Sequence, residues 1–160
     1  MMFPCEIKTF PTRSALSIRF RSPVQELSAY FGRVYGAIGA YLAELGAQDQ
    51  GEAVFAAYHN MDMQDLDIVA GFTVSKPLPG KGEIQAAEIP GGPFAICHYT
   101  GPYDQVGPAY EELTQYAAQH GYQPGGVAYE WYLNGPDVPP QDLKTDVAFP
   151  VIPLGEAATA

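Results

Sequence analysis

The sequence predicts an α+β fold of two pseudo-twofold-related strand–helix–strand–strand modules with antiparallel sheets around a central ligand groove. Three observations predict it. The chain has 160 residues, enough for one domain with one ordinary core. Of these, 47% are apolar and 16% charged, which is the balance of a folded chain rather than a disordered one. And the sequence repeats its own pattern: Phe10-Pro11 recurs as Ile89-Pro90 and Ser22-Pro23 as Gly101-Pro102, each displaced by 79 positions.

The first half is expected to open with strands at Cys5 to Phe10 and Ala15 to Arg21. A helix follows from about Pro23 to Leu45. Ser22 suits its N-cap, Pro23 its first position and Gln25 a capping box, and Gly46 offers a C-terminal stop. Leu27, Phe31, Val34 and Ile38 are spaced by four, three and four, as on one face of an amphipathic helix. Strands then run over Val54 to Tyr58 and Leu66 to Val74. The Pro- and Gly-rich segment Lys76 to Gly82 connects the halves.

The second half repeats the plan, with strands at Glu83 to Ile89 and Phe94 to Tyr99 and a helix to about Gln119, ended by Gly121. Pro108 either kinks this helix or marks its true start near Gly107. The helical face reappears at Val106, Tyr110, Leu113 and Ala117, again 79 positions on. Strands at Val127 to Leu133 and Thr145 to Val151 complete the unit, and Asp65-Leu66 matches Asp142-Leu143 at a displacement of 77. The reading is one domain over 1–155, with repeats at 4–76 and 83–153 and a flexible tail at 156–160. A sheet with a helix on one face still needs a partner for the other. Two such halves side by side leave a cleft at their seam, where small ligands usually bind.

The net charge of −10 argues against nucleic acid and anionic membranes, both of which need clustered Lys and Arg. Met1 to Phe10 shows no basic start followed by an apolar run, and no apolar stretch approaches a membrane span. Cys5 and Cys97 match no disulfide framework and no zinc motif, and read as buried inert thiols in strands. Cytoplasm follows by elimination. Eleven Tyr, eight Phe and one Trp supply many rings with polar tips, suited equally to a pocket wall and to structure.

The run His98-Tyr99-Thr100-Gly101-Pro102-Tyr103 is followed by a helix, by Tyr129-Glu130-Trp131-Tyr132-Leu133-Asn134-Gly135-Pro136, and by Thr145 and Phe149-Pro150. With Tyr58-His59-Asn60 before an acidic stretch and Gly71, this ordered set resembles the GyrI-like domain. That family contains gyrase-inhibitory proteins and the effector-binding domains of multidrug-sensing and AraC-type regulators. The resemblance covers Cys5 to Pro153 and implies two modules of the SHS2 kind, with an acidic residue deep in the groove that meets cationic aromatic ligands in drug-binding members. The matching residue is Glu130.

Glu130 stands out from the residues as well. A carboxylate between Tyr129 and Trp131 is either exposed on one sheet face or held in a semi-apolar cavity, where a cation or hydrogen-bond donor favours its charged form. Its counterpart in the first half is Ala56, so the acid belongs to one half only. Tyr132 shares its strand face, and Tyr58 is the repeat counterpart of Tyr132. Trp131 points to the other face, towards core. Phe149 either lines the pocket floor or packs in the core. Tyr103 and His98 complete the ligand-binding candidates.

Three other patterns carry less. His98 follows Cys97, but neighbours on a strand face opposite ways and form no Cys–His pair. His59 lies near Asp62, Asp65 and Asp67, which read as a solvated edge rather than a metal site. Gly80-Lys81-Gly82 is too short for a phosphate loop.

The leading expectation is therefore a stand-alone, non-catalytic domain that binds a hydrophobic small molecule, neutral or cationic, without cofactor or metal. The chain lacks a helix-turn-helix extension, so it does not read DNA by itself. The alternative is a hydrolase of the GyrI-like type that opens strained electrophilic rings, with Glu130 as general base assisted by His98 or Tyr103. A further alternative is a protein-binding inhibitor, such as one acting on gyrase, with Asp62 to Asp67 as contact. A haem-binding reading finds no axial ligand.

Overall fold

The computed structural model describes residues 3–135 and 137–155; Pro136 of the motif and the tail 156–160 lie outside the described residues. Nine strands and two α-helices are present among them: β1 (Cys5–Phe10), β2 (Arg13–Ser22), α1 (Leu27–Glu44), β3 (Gly51–Tyr58), β4 (Leu66–Val74), β5 (Gln85–Ile89), β6 (Gly92–Thr100), α2 (Gly107–Gln119), β7 (Tyr122–Pro124), β8 (Ala128–Tyr132) and β9 (Lys144–Pro153). All pairings described below are antiparallel, which gives the α+β class expected from the repeat.

The chain forms two compact units, Thr12–Pro90 and Met1–Pro11 with Gly91–Ala160. Within the continuous unit the strand order is β3-β4-β2-β5. Within the other it is β1-β6-β9, with β8 and β7 sharing the free edge of β9. The units thus depart from the halves read in the sequence at one point. The opening strand of each half is exchanged: β1 pairs with β6 rather than β2, and β5 pairs with β2 rather than β6. Residue patterning shows which strands exist, but not which partner a strand with free edges selects.

In the continuous unit α1 buries Val34, Ile38, Tyr41 and Leu42. Its start corrects the sequence reading. Pro23 is extended, a short 3₁₀ turn covers Val24–Glu26, and the α-helix begins only at Leu27. Ser22 does not cap it: its hydroxyl donates to the Pro23 carbonyl at 2.7 Å, and the Val24 N–H goes to the Met63 carbonyl at 2.8 Å. Its end follows the reading. Gly46 has φ +67°, and the N–H groups of Gly46 and Ala47 bond the carbonyls of Ala43 and Leu42, a Schellman closure. At Gly71 the β2 backbone approaches so closely that a β-carbon would overlap the Leu16 carbonyl oxygen.

The acidic stretch read as a solvated edge is an ion-pair lattice. Arg19 grips Asp67 through two hydrogen bonds (2.9 and 2.7 Å), and Arg21 grips Asp65 likewise (3.0 and 2.9 Å). The guanidinium groups hold both carboxyls below their ordinary range. His59 is pushed down, first by burial and then by Arg19. No group of three or more His, Cys, Asp or Glu among the described residues is placed to hold a metal.

An asparagine braces the same hairpin in each unit. Asn60 donates to the Asp65 carbonyl (3.0 Å) and accepts from the Asp67 N–H (2.9 Å). Asn134 donates to the Asp142 carbonyl (3.0 Å) and accepts from the Lys144 N–H (2.9 Å). The side-chain amide replaces missing ladder bonds, so each loop can be long while its strands stay in register.

In the discontinuous unit, α2 starts at Gly107 with Pro108 in its first turn, where a missing N–H costs nothing. It packs Ala109, Leu113 and Ala117 onto Ala95, Cys97, Tyr99, Val147, Phe149 and Val151. The short strand β7 went unread in the sequence, because three residues are too few to show a period. Within this core the Thr145 hydroxyl is buried without a hydrogen-bond partner among the described residues. Thr145→Val keeps the shape and removes that penalty, so it is expected to raise stability by about 1 kcal/mol in urea denaturation. A loss of stability instead would show that the hydroxyl is satisfied.

Candidate functional site

Strand β8 lies against β9 with Glu130 opposite Val147 and Tyr132 opposite Thr145. Val147 belongs to the core beneath α2, and directly paired residues share a face. Glu130 and Tyr132 are therefore on the helix-covered face. There the Glu130 side chain is buried, at 8% exposure. Each of its oxygens accepts a phenolic hydrogen bond: Oε1 from Tyr132 at 2.8 Å and Oε2 from Tyr110 of α2 at 2.6 Å. The 2.6 Å bond has the length of a charge-assisted O–H···O⁻ contact, and together the two phenols satisfy both oxygens of the buried group.

Tyr103 sits in a short 3₁₀ turn before α2. Its ring meets Tyr132 edge-on, with centroids 5.6 Å apart and an interplanar angle of 80°. Burial, and then the negative charge of Glu130, push its phenol up. The residue is nonetheless 47% exposed, so this ring joins the buried carboxylate to the surface. The turn is fixed by Tyr99, whose hydroxyl donates to the Pro102 carbonyl at 2.6 Å. The Gly101 N–H is bonded to the Leu143 carbonyl at 2.8 Å. The motif from His98 to Tyr103 thus places one aromatic side chain.

The structure brings Glu130, Tyr132 and Tyr103 together and adds Tyr110, which the sequence reading had treated as helical core. Its signal was present. The displacement of 79 pairs Tyr110 with Phe31, and Glu130 pairs with Ala56, so carboxylate and phenol are gained in the same half. Phe149 lies on the helix-covered face but deep in the core, 4% exposed. Tyr58 belongs to the continuous unit, half-buried on β3 opposite Ile68.

Two candidates lie apart from Glu130: Trp131, on the face that strand alternation gave it, and His98. Both are paired with Asp146, on the sheet face away from Glu130, because strand side chains alternate. Trp131 is 9% exposed and stacks on Tyr129, with centroids 6.1 Å apart. His98 is clasped between carboxylates, Nε2 2.6 Å from Glu6 and Nδ1 2.7 Å from Asp146. It therefore cannot assist Glu130.

Its hydrogen bond to Glu6, aided by Asp146 and opposed by burial, raises the His98 pKa. A raised folded-state value stabilises the fold fully below the ordinary histidine range, and the contribution fades as pH climbs through the folded value. His98→Gln is therefore expected to cost more at pH 5.5 than at pH 9. With the imidazole 41% exposed, the difference stays below about 1 kcal/mol. Equal costs at both pH values, measured by urea denaturation, would contradict this.

The model of the GyrI-like small molecule binding domain matches residues 3–152. Comparison with curated proteins gave no match. Among solved structures, the EcmrR C-terminal domain superposes with a TM-score of 0.78 at 22% identity, over 96% of this chain and 100% of that one. EcmrR in its DNA complex gives 0.77 at 21% identity, and there this chain spans 96% of itself but 59% of the regulator. A structure described as a hydrolase encoded by lin2189 from Listeria innocua gives 0.66 at 13% identity (92% and 91% covered). SAV2435 bound to tetraphenylphosphonium gives 0.62 at 11% (95% and 94% covered). At these identities the likenesses speak for the fold, whereas the family match spans nearly the whole sequence. This chain belongs to the GyrI-like small molecule binding domains.

Proposed function

We propose that this chain is a single cytoplasmic domain that binds a hydrophobic, cationic aromatic molecule at Glu130, acting as an effector or drug receptor without cofactor or direct contact to nucleic acid. The observation that carries the proposal is a buried carboxylate whose two oxygens are each held by a tyrosine, beside a third tyrosine that reaches the surface. A negative charge inside protein attracts a cation far more strongly than one in water, and phenol rings offer it stacking and cation–π contact. The bound tetraphenylphosphonium of one structural neighbour supports this ligand class.

Calorimetric titration with tetraphenylphosphonium is expected to give micromolar affinity. Glu130→Gln, which keeps the shape and removes the charge, should weaken it at least tenfold, or about 1.4 kcal/mol. Equal affinity in wild type and variant would remove Glu130 from the electrostatic role.

One observation favours hydrolysis as a second reading. The Tyr110 hydroxyl, 2.6 Å from Glu130, is a proton-transfer partner of the kind a general base uses. Glu130 would take a proton from water as its oxygen attacks a strained ring carbon, and Tyr110 would protonate the atom released. Turnover of a strained-ring alkylating compound, lost in both Glu130→Gln and Tyr110→Phe, would establish it. Binding without turnover leaves the receptor reading.

A further inference from the structure

Away from this site, the exchanged strand β1 brings the two cysteines together. Cys5 on β1 and Cys97 on β6 are direct cross-strand partners, and both are free. The His98 N–H donates to the Pro4 carbonyl at 2.8 Å, just beyond the pair on either strand. That pattern marks Cys5 and Cys97 as a non-hydrogen-bonded pair, in which the Cα atoms approach to about 4.5 Å and the side chains are closest. Disulfides span Cα separations of about 4.4–6.8 Å. The Cys97 side chain is part of the core beneath α2, and Cys5 packs against that core from the same face. β1 bonds to a single strand of its unit, so it can shift by the small amount a covalent link requires.

We propose that Cys5 and Cys97 form a peroxide-oxidisable pair that closes into a cross-strand disulfide, tying β1 to β6. The exposure of the two thiols sets the order of events. Cys97 is fully buried and Cys5 is partly open to solvent. A peroxide therefore oxidises Cys5 first: the sulfur is oxidised to the sulfenic acid while the peroxide is reduced to water. The Cys97 sulfur then attacks the Cys5 sulfur. An S–S bond forms, the S–O bond breaks, and hydroxide takes up the Cys97 proton and leaves as a second water. Burial pushes both thiols up, so the reaction is slow at neutral pH and quickens as pH rises.

The bond would close a loop containing all of Thr12–Pro90. Closing so long a loop restricts the unfolded chain strongly, and the melting temperature should rise by roughly 10 °C, reversed by dithiothreitol.

Wild-type protein treated with hydrogen peroxide at pH 8.5 is expected to lose about 2 Da by intact mass and both titratable thiols, and to yield a peptide linking Cys5 to Cys97. Cys97→Ser should instead leave Cys5 as a sulfenic acid that dimedone traps. Two intact thiols after treatment, a gain of oxygen on Cys5 with Cys97 still reduced, or disulfide-linked dimers in place of the internal bond would each overturn the proposal. The wild-type readout alone decides the matter if the serine variant fails to fold.

Discussion

Gly71→Ala is expected to destabilise the chain by about 3 kcal/mol or more. The added methyl would meet the Leu16 carbonyl oxygen and crowd the Ser17 backbone. Those atoms belong to β2, which is hydrogen-bonded on one side to β4 and on the other to β5, so the backbone cannot retreat without disturbing two ladders. Overpacking in cores typically costs 1–3 kcal/mol when side chains can yield, and here the obstacle is main chain. Gly39→Ala in α1 is the internal control. A β-carbon there meets nothing within 4 Å, and the better helix former should add about 0.5–1 kcal/mol. Urea denaturation of the two variants should move in opposite directions. A Gly71→Ala midpoint within error of wild type would show that the strands separate more easily than their register implies.

Tyr110→Phe carries the second largest expectation, a loss of about 2 kcal/mol. The substitution removes one oxygen and leaves the ring, so packing of α2 is retained while a buried carboxylate oxygen loses a donor at 2.6 Å. Hydrogen bonds to charged groups contribute about 1.5–3 kcal/mol. Tyr132→Phe acts on the other oxygen of the same group, and the two losses should not add. A double-mutant cycle in urea, extended to Glu130→Gln, measures that coupling. Additive losses from the two tyrosines would mean that each serves the fold independently rather than through the carboxylate.

The fold class and most strand positions were legible in the sequence because hydrophobic period and internal repetition both report on backbone state. The β4 bounds matched to the residue, and of the two readings that Pro108 left open, a kink or a start near Gly107, the structure has the second. Capping failed at Ser22 because its hydroxyl had a closer acceptor in Pro23, a choice that depends on backbone angles and not on residue type. Strand exchange was invisible for a related reason: β1 and β5 carry much the same pattern, and pairing is settled by geometry. At the candidate site, alternation along β8 correctly grouped Glu130 with Tyr132 and set Trp131 apart. Tyr110 escaped because a tyrosine on the apolar face of a helix looks like core until the strand beneath it is known to hold an acid.

The exchanged strands also set an order of assembly. Everything needed for the unit Thr12–Pro90 is contiguous, so its contacts can form as soon as that stretch has left the ribosome. The other unit takes β1 from ahead of that stretch and must wait for β6, made some ninety residues later, and for β9, some fifty beyond that. Throughout that interval β1 is a strand without its neighbour, tethered to a finished unit that does not use it. β1 is therefore made before the Thr12–Pro90 unit and placed only after it.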